Sequence, residues 1–324
     1  MKRSHFILAA LIAASSLAAS AQAATLLVLN KEDATLSIVD PASGKTGATI
    51  PTGNGPHEVE VSGDGRFAFV SNYGDRGAPG HTLSVIDIAA RKESKRVELG
   101  DLGRPHGLSF SNGQLYFTSE ASRKVGRYDP VAGQVDWKFE TGQDSTHMVL
   151  ASRDGKRLFT SNIGSGNIGI IERDAAGAWS QTLVGVGKGP EGLDESPDGR
   201  ELWSAHSQDG GVSIIDVASK KVTQTLDVQT KRSNRLKFTP DGKLVLISDL
   251  GSGELVVIDA RTRKQRTRLP VGNMPEGILM SPDGTTAFVA IAGEGHVAVV
   301  DLKTLSVTRK IATGKGPDGM AWVP

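Results

Sequence analysis

Apolar residues in this chain come in short runs, some alternating with polar residues and some unbroken, with turn-forming residues between them. Residues 234–272 show the unit: "NRLKFT", "KLVLISD", "ELVVIDA" and "QRTRLPV", separated by glycine-bearing or polar turns. Alternation over such short segments predicts strands, and the unbroken runs predict strands buried on both faces. Turn dipeptides precede apolar runs at Asp64-Gly65, Asn112-Gly113, Asp154-Gly155, Asp198-Gly199, Asp241-Gly242 and Asp283-Gly284. Their glycines lie 48, 42, 44, 43 and 42 residues apart. These dipeptides favour hairpins because the turns need positive φ. A near-constant period with four short strands per unit predicts a β-propeller blade. No long segment with a 3.6-residue period follows Ala24, so helix content is expected to be very low.

The innermost strand of each unit, strand A, starts at His57, His106, His147, Glu191, Asn234, Glu276 and Asp318. Six starts are followed by a full unit, whereas the last has only "DGMAWVP" after it. "TLLVLN", "TLSIVD" and "GATIPTG" near the N-terminus supply the missing strands B, C and D. The expectation is an all-β, seven-bladed propeller over residues 24–324, a single domain closed by the C-terminal strand A, with no open sheet edge at the closure.

Ahead of that domain, Lys2 and Arg3 precede the apolar stretch "FILAALIAASSLAA" and the small-residue pattern Ala21-x-Ala23. This is the form of a signal peptide over residues 1–23, cleaved near Ala23, and it predicts a periplasmic or secreted protein. The stretch is too short for a comfortable membrane span, so no membrane insertion is expected. Without cysteine the chain has no disulfide and no thiolate ligand or nucleophile. Loss of Lys2 and Arg3 leaves 35 basic against 36 acidic residues, a formal charge of −1 that does not point to nucleic acid. The expected partner is a small polar molecule or a periplasmic protein, bound by a monomer.

Comparing the seven copies separates scaffold from candidate site. The end of strand C reads Asp40, Asp87, Asp129, Glu172, Asp216, Asp259 and Asp301, an acid in every copy and hence a turn device. The strand A starts differ in chemistry. The ends of strand B, expected at the same rim, read Asn30, Asn72, Glu120, Asn162, His206, Asp249 and Ile291. The two sets predict polar rings around one funnel, and His57, His106, His147 and His206 account for four of the six histidines after Ala23. Asn72, Asn162, His206, Asn234, Asp249, Glu276 and Asp318 are therefore candidate ligand-rim residues. His57, His106 and His147 come from adjacent blades and are candidate ligands for a divalent metal, with Glu120, Glu58 or His206 beside them. Lys231, Arg232, Arg235 and Arg104 add a cationic edge suited to an anionic ligand.

Units such as "SPDGR", "FVSN", "LSVIDIA" and "VELG" resemble the YVTN-type (YncE-like) repeat of exported bacterial seven-bladed propellers, over essentially the whole chain after the leader. The resemblance identifies a fold rather than an activity. Within it, "RPHGLSFSNGQLYFTSEASRKVGRYDPVAGQVDWKF" resembles a virginiamycin B lyase repeat. That likeness implies His106 as a base and Glu120 as a metal ligand. The mouths of propeller lactonases combine His, Glu and Arg, which by the same kind of likeness makes His147, Glu191 and Arg235 catalytic candidates. The function expected is ligand or partner binding at the funnel, with hydrolase or lyase chemistry as the alternative.

Overall fold

In the computed structural model, which describes residues 24–323, seven four-stranded antiparallel sheets form a ring. The expected leader, residues 1–23, lies outside the described residues. The inner strands are Pro56–Val61, Pro105–Ser111, Thr146–Ala151, Pro190–Glu195, Ser233–Phe238, Pro275–Met280 and Pro317–Val323, belonging to blades one to seven in that order. Blade seven is composite: Pro317–Val323 pairs with Thr25–Asn30, followed outward by Thr35–Val39 and Thr46–Pro51, with Leu26 opposite Trp322. The closure read from the repeat is the one observed. Among the described residues the helical content is one 3₁₀ turn, Ala292–Glu294.

The unbroken apolar runs of strands B and C fill the layers between blades. Leu27, Leu29 and Leu36 of blade seven pack on Val59, Ala68, Val70 and Ile86 of blade one. Trp203 and Ile214 of blade four pack on Leu236, Ile247 and Val256 of blade five. Each such side chain removed from water contributes about 1.5–3 kcal/mol, which is how a ring without disulfides coheres. The strand C acids behave as turn devices: Asp40, Asp129, Asp216, Asp259 and Asp301 accept backbone N–H bonds of 2.7–2.8 Å from residues two or three further on. Glu172, one methylene longer, instead pairs with Arg157 and with Lys220 of the next blade.

Every inner strand carries a β-bulge near the rim. In blade one Pro56 pairs with Asn72 and Val59 with Val70, so His57 and Glu58 together face Ser71. A bulge interrupts the ladder and re-aims a side chain; here it does so at the seven strand starts. The bulge amide still needs an acceptor. In blade one the Glu58 N–H donates to Ser71 Oγ, which donates onward to the His106 carbonyl in blade two at 2.7 Å. Thr118 makes the same bridge from Gly107 to His147, Ser161 from Met148 to Glu191, and Ser248 from Arg235 to Glu276. His106 and His147 are thus positioned by backbone relays from the preceding blades.

Crowding at the axis sets the residue after each bulge. A Cβ on Gly319 would stand 2.4 Å from the His57 carbonyl oxygen, one on Gly277 2.2 Å from that of Asp318, and Gly107 and Gly192 are similarly close to the next strand's backbone. Gly319→Ala is expected to cost about 1–3 kcal/mol by overpacking, whereas Gly185→Ala, with nothing within 4 Å, should stay within about 0.5 kcal/mol. Thermal unfolding of the two variants checks this; equal melting temperatures would refute the crowding.

Candidate functional site at the channel mouth

The bulged residues meet in a cavity of about 180 Å³ lined by His57, His106, His147, Glu191, Asn234, Glu276 and Asp318, together with Lys31, Tyr73, Arg232, Arg235 and Leu250. All seven strand A starts therefore reach one space. The strand B ends do not. Asn72 bonds Thr82, Ser84 and the Gly53 amide, Asp249 accepts the Lys231 and Arg232 amides, Asn162 bonds Asn167, and His206 Nδ1 pairs with Asp209 at 2.9 Å. These four side chains are buried inside their blades; Asn72 and Asp249 hold the loops that lead into the inner strands directly, and Asn162 and His206 do so through Asn167 and Asp209.

The residues that face the funnel from strand B come one position later. Lys31, Tyr73 and Leu250 follow Asn30, Asn72 and Asp249 and line the cavity, and Glu120 holds the same place in blade two, bonded to the lining side chains of His147 and Tyr73. In blade two it is Ser119 that pairs with Pro105, in the register that Asn72 holds against Pro56. The Asn112-Gly113 turn joins Ser111 directly to Gln114 and is two residues shorter than the turns of other blades. Glu120 is thereby in the funnel set rather than the buried one, and Lys31 and Tyr73 are site residues that strand ends alone do not disclose.

The site has two halves. On the histidine side, the His57 and His106 rings lie 4.7 Å apart and the His106 and His147 rings 3.8 Å apart, tilted by about 35°. Tyr73 meets His57 and His106 edge-on and carries Arg104 over its own ring at 4.9 Å. Glu120 takes His147 Nδ1 with one oxygen and the Tyr73 hydroxyl with the other, both at 2.5 Å. His106 Nδ1 and His147 Nε2 are buried and have no hydrogen-bond partner within the protein; His147 Nε2 lies 3.9 Å from Glu191. Burial, with the neighbouring imidazoles, holds His106 well below the usual histidine range, and burial also lowers His57 despite its bond to Asp318. His57 and His106 therefore present neutral imidazoles to the cavity. Burial and Glu120 push the Tyr73 hydroxyl up to about 12, so it remains a donor.

On the charged side, Arg235 enters from blade five and pairs with Glu58 of blade one, with Asp318 at 3.9 Å. Its guanidinium also donates to Asn234, whose amide donates to Glu191 at 2.7 Å. Lys31 pairs with Glu276 and lies 3.2 Å from Asp318, which takes His57 Nδ1 at 3.0 Å. Burial would raise the Asp318 pKa, but Lys31, the His57 bond and Arg235 outweigh it and keep the group a carboxylate. Glu276 goes the other way: burial and Asp318 push it up against Lys31, to about 8.

The expected metal set of His57, His106, His147 and Glu120 is brought together, but as stacked faces rather than as nitrogens aimed at one point. His57 Nδ1 and His147 Nδ1 are committed to carboxylates. Among the described residues no group of three or more His, Cys, Asp or Glu is arranged to hold a metal ion. The Glu120 oxygens serve to orient His147 and Tyr73, a different task from the metal ligation the lyase likeness implies.

A profile of the YNCE-like beta-propeller family matches residues 5–323. The chain belongs to that family. Among solved structures this YNCE-like propeller is similar to Kuenenia stuttgartiensis hydrazine synthase, with 21% identity, TM-score 0.76, and coverage of 86% of this chain and 92% of that one. It is also similar to the periplasmic gluconolactonase of Pseudomonas aeruginosa, at 20% identity and TM-score 0.74, covering 93% and 99%. At such identities the likeness is one of fold. A curated relative, antigen Lp49 of Leptospira interrogans, is 29% identical over 85 residues, which span 26% of this chain and 19% of the relative.

Two outcomes follow for the YNCE-like ring. Arg235→Met would strand Glu58 in the channel and should cost about 3–5 kcal/mol, with the Arg235→Met/Glu58→Met double variant recovering most of it; denaturant unfolding reads this, and an additive double variant would contradict the pairing. The folded state resists protonation of His106, whereas an unfolded chain takes up that proton near pH 6.5. The histidine therefore contributes stability that is present above about 6.5 and lost as the pH falls below it. Wild type should lose melting temperature relative to His106→Gln as pH falls from about 7.5 to about 5.5; a constant difference would refute the neutral imidazole.

Proposed function

We propose that this propeller acts outside the cytoplasm and binds a small polar molecule at the channel mouth, with the imidazole stack and the Lys31 and Arg235 cations as recognition elements. The observation that carries the reading is the pair of buried, unpartnered nitrogens, His106 Nδ1 and His147 Nε2, in the one place where all seven unlike strand starts converge. A buried polar atom left unpaired costs about 1–3 kcal/mol, so a hydroxyl or carboxylate that bonds these nitrogens gains affinity in proportion. Glu191, Asn234 and Glu276 give further polar contacts around the same cavity. The leader-like stretch at residues 1–23 and the likeness to a periplasmic enzyme support export.

A second reading rests on Glu120. A carboxylate on His147 Nδ1 fixes the tautomer and leaves Nε2 free to take a proton, the arrangement of an oriented general base. Hydrolysis of a sugar lactone would use that base on water, with Arg235 near the carbonyl side; the gluconolactonase neighbour makes glucono-1,5-lactone the first substrate to try.

One experiment addresses both. Thermal shift with gluconate and related polyhydroxy acids should show saturable stabilisation of the wild-type protein that His106→Gln and His147→Gln lose while remaining folded. Hydrolysis of glucono-1,5-lactone falling by about 10²–10⁴ in His147→Gln would support the enzymatic reading. Stabilisation without turnover supports binding alone. Shifts that survive both substitutions would contradict the site.

A further inference from the structure

Below Arg235 and Glu58 the channel widens into a second cavity of about 280 Å³. Arg235 borders both spaces, so its pairing with Glu58 forms a floor for the upper one and a ceiling for the lower. The chemistry on the two sides differs. The upper cavity is ringed by polar groups, whereas the lower is walled chiefly by aliphatic side chains of the inner strands, among them Leu108, Leu150, Leu193 and Leu279, with the Trp322 ring at its edge.

Two charged side chains stand out on that apolar wall. Glu60 is on the inner strand of blade one, two residues beyond Glu58, and Lys237 is on that of blade five, two residues beyond Arg235. The floor pair and this pair thus come from the same two blades, one step of the strand alternation apart. Unlike Glu58 and Arg235, these two make no salt bridge with each other; the nearest carboxylate to Lys237 Nζ is Asp194 at 4.0 Å, beyond hydrogen-bonding reach. One Asp194 oxygen is already committed to the Phe238 amide at 2.9 Å. Burial raises the Glu60 carboxyl to about 7, and Lys237 and the Phe110 amide only partly offset that. A cation placed against Glu60 would restore its charge, and an anion against Lys237 would complete that ammonium's bonding.

We infer that the lower channel cavity is a second binding site, for a small zwitterion with an apolar side chain, such as an aliphatic amino acid. Its ammonium is taken by Glu60, its carboxylate by Lys237, and its hydrocarbon by the leucine wall and Trp322. Separate acid and base on an otherwise apolar wall select against a plain hydrocarbon, which would leave both charges unpaired. They also select against a simple anion or cation, which would satisfy one of them. The site uses none of the imidazole nitrogens of the upper cavity, and the inference stands apart from the reading of that cavity.

The test is fluorescence titration of the full protein with L-leucine, following the tryptophan emission, beside N-acetyl-L-leucine, which lacks the ammonium, and isoamylamine, which lacks the carboxylate. L-Leucine should give a saturable change that is absent in Trp322→Phe. Each analogue, and each of the variants Glu60→Gln and Lys237→Gln, should bind about tenfold to a hundredfold more weakly. Calorimetry of the same variants reads affinity without the reporter and covers a silent Trp322. No saturable binding of L-leucine at millimolar concentration by either method would overturn the proposal. So would equal affinity for the two analogues, or loss of binding in His147→Gln, which would move the ligand to the upper cavity.

Discussion

Seven inner strands approach one axis so closely that a β-carbon after the bulge collides with the next strand wherever the backbone has no room. Gly107, Gly192, Gly277 and Gly319 accept that constraint by having no side chain. Blades one, three and five place Glu58, Met148 and Arg235 at the same point, and these three project into the channel. Because Arg235 is buried there, it must be matched by carboxylates from other blades, and Glu58 and Asp318 match it. The position of this one ion pair divides the channel into a polar upper space and an apolar lower one.

Above that division, chemistry follows from which residue each bulge presents. Three histidines on adjacent blades stack because their backbones are tied together by Ser71 and Thr118. Burial disfavours charge on His106 and His57, so these two imidazoles form a neutral hydrogen-bonding surface. On the opposite side Asp318 collects Lys31, His57 and Arg235, which keeps a carboxylate in the channel. A neutral surface beside a fixed charged cluster suits a ligand with hydroxyls at one end and a charge at the other.

The architecture was legible because it repeats: turn dipeptides, strand C acids and apolar runs recur in register, and each copy checks the others. The strand A ring was legible for the same reason inverted, as a position where the copies differ in chemistry. The strand B ring was not. Asn72 and Asp249 are polar for the sake of loop amides and Asn162 for the side chain of Asn167, and a polar residue at a strand end carries no mark of which way it points. The Asn112-Gly113 hairpin is two residues short, so Glu120 joins Lys31 and Tyr73 instead of the buried set. The bulges also defeat the period-two reading of facing at the rim. Their trace in the sequence is the residue after each strand start, glycine in four copies and Glu58, Met148 or Arg235 in the others.

Recognition at the channel mouth depends on His106 and His57 being neutral and available to hydrogen-bond a ligand. Side-chain ¹⁵N NMR of the histidines, followed from mildly alkaline to mildly acidic pH, reads that state directly. The account predicts that His106 and His57 remain neutral through the range near pH 6.5 in which free histidine takes up its proton. A His106 that titrates at or above the ordinary histidine value while the protein stays folded would contradict it.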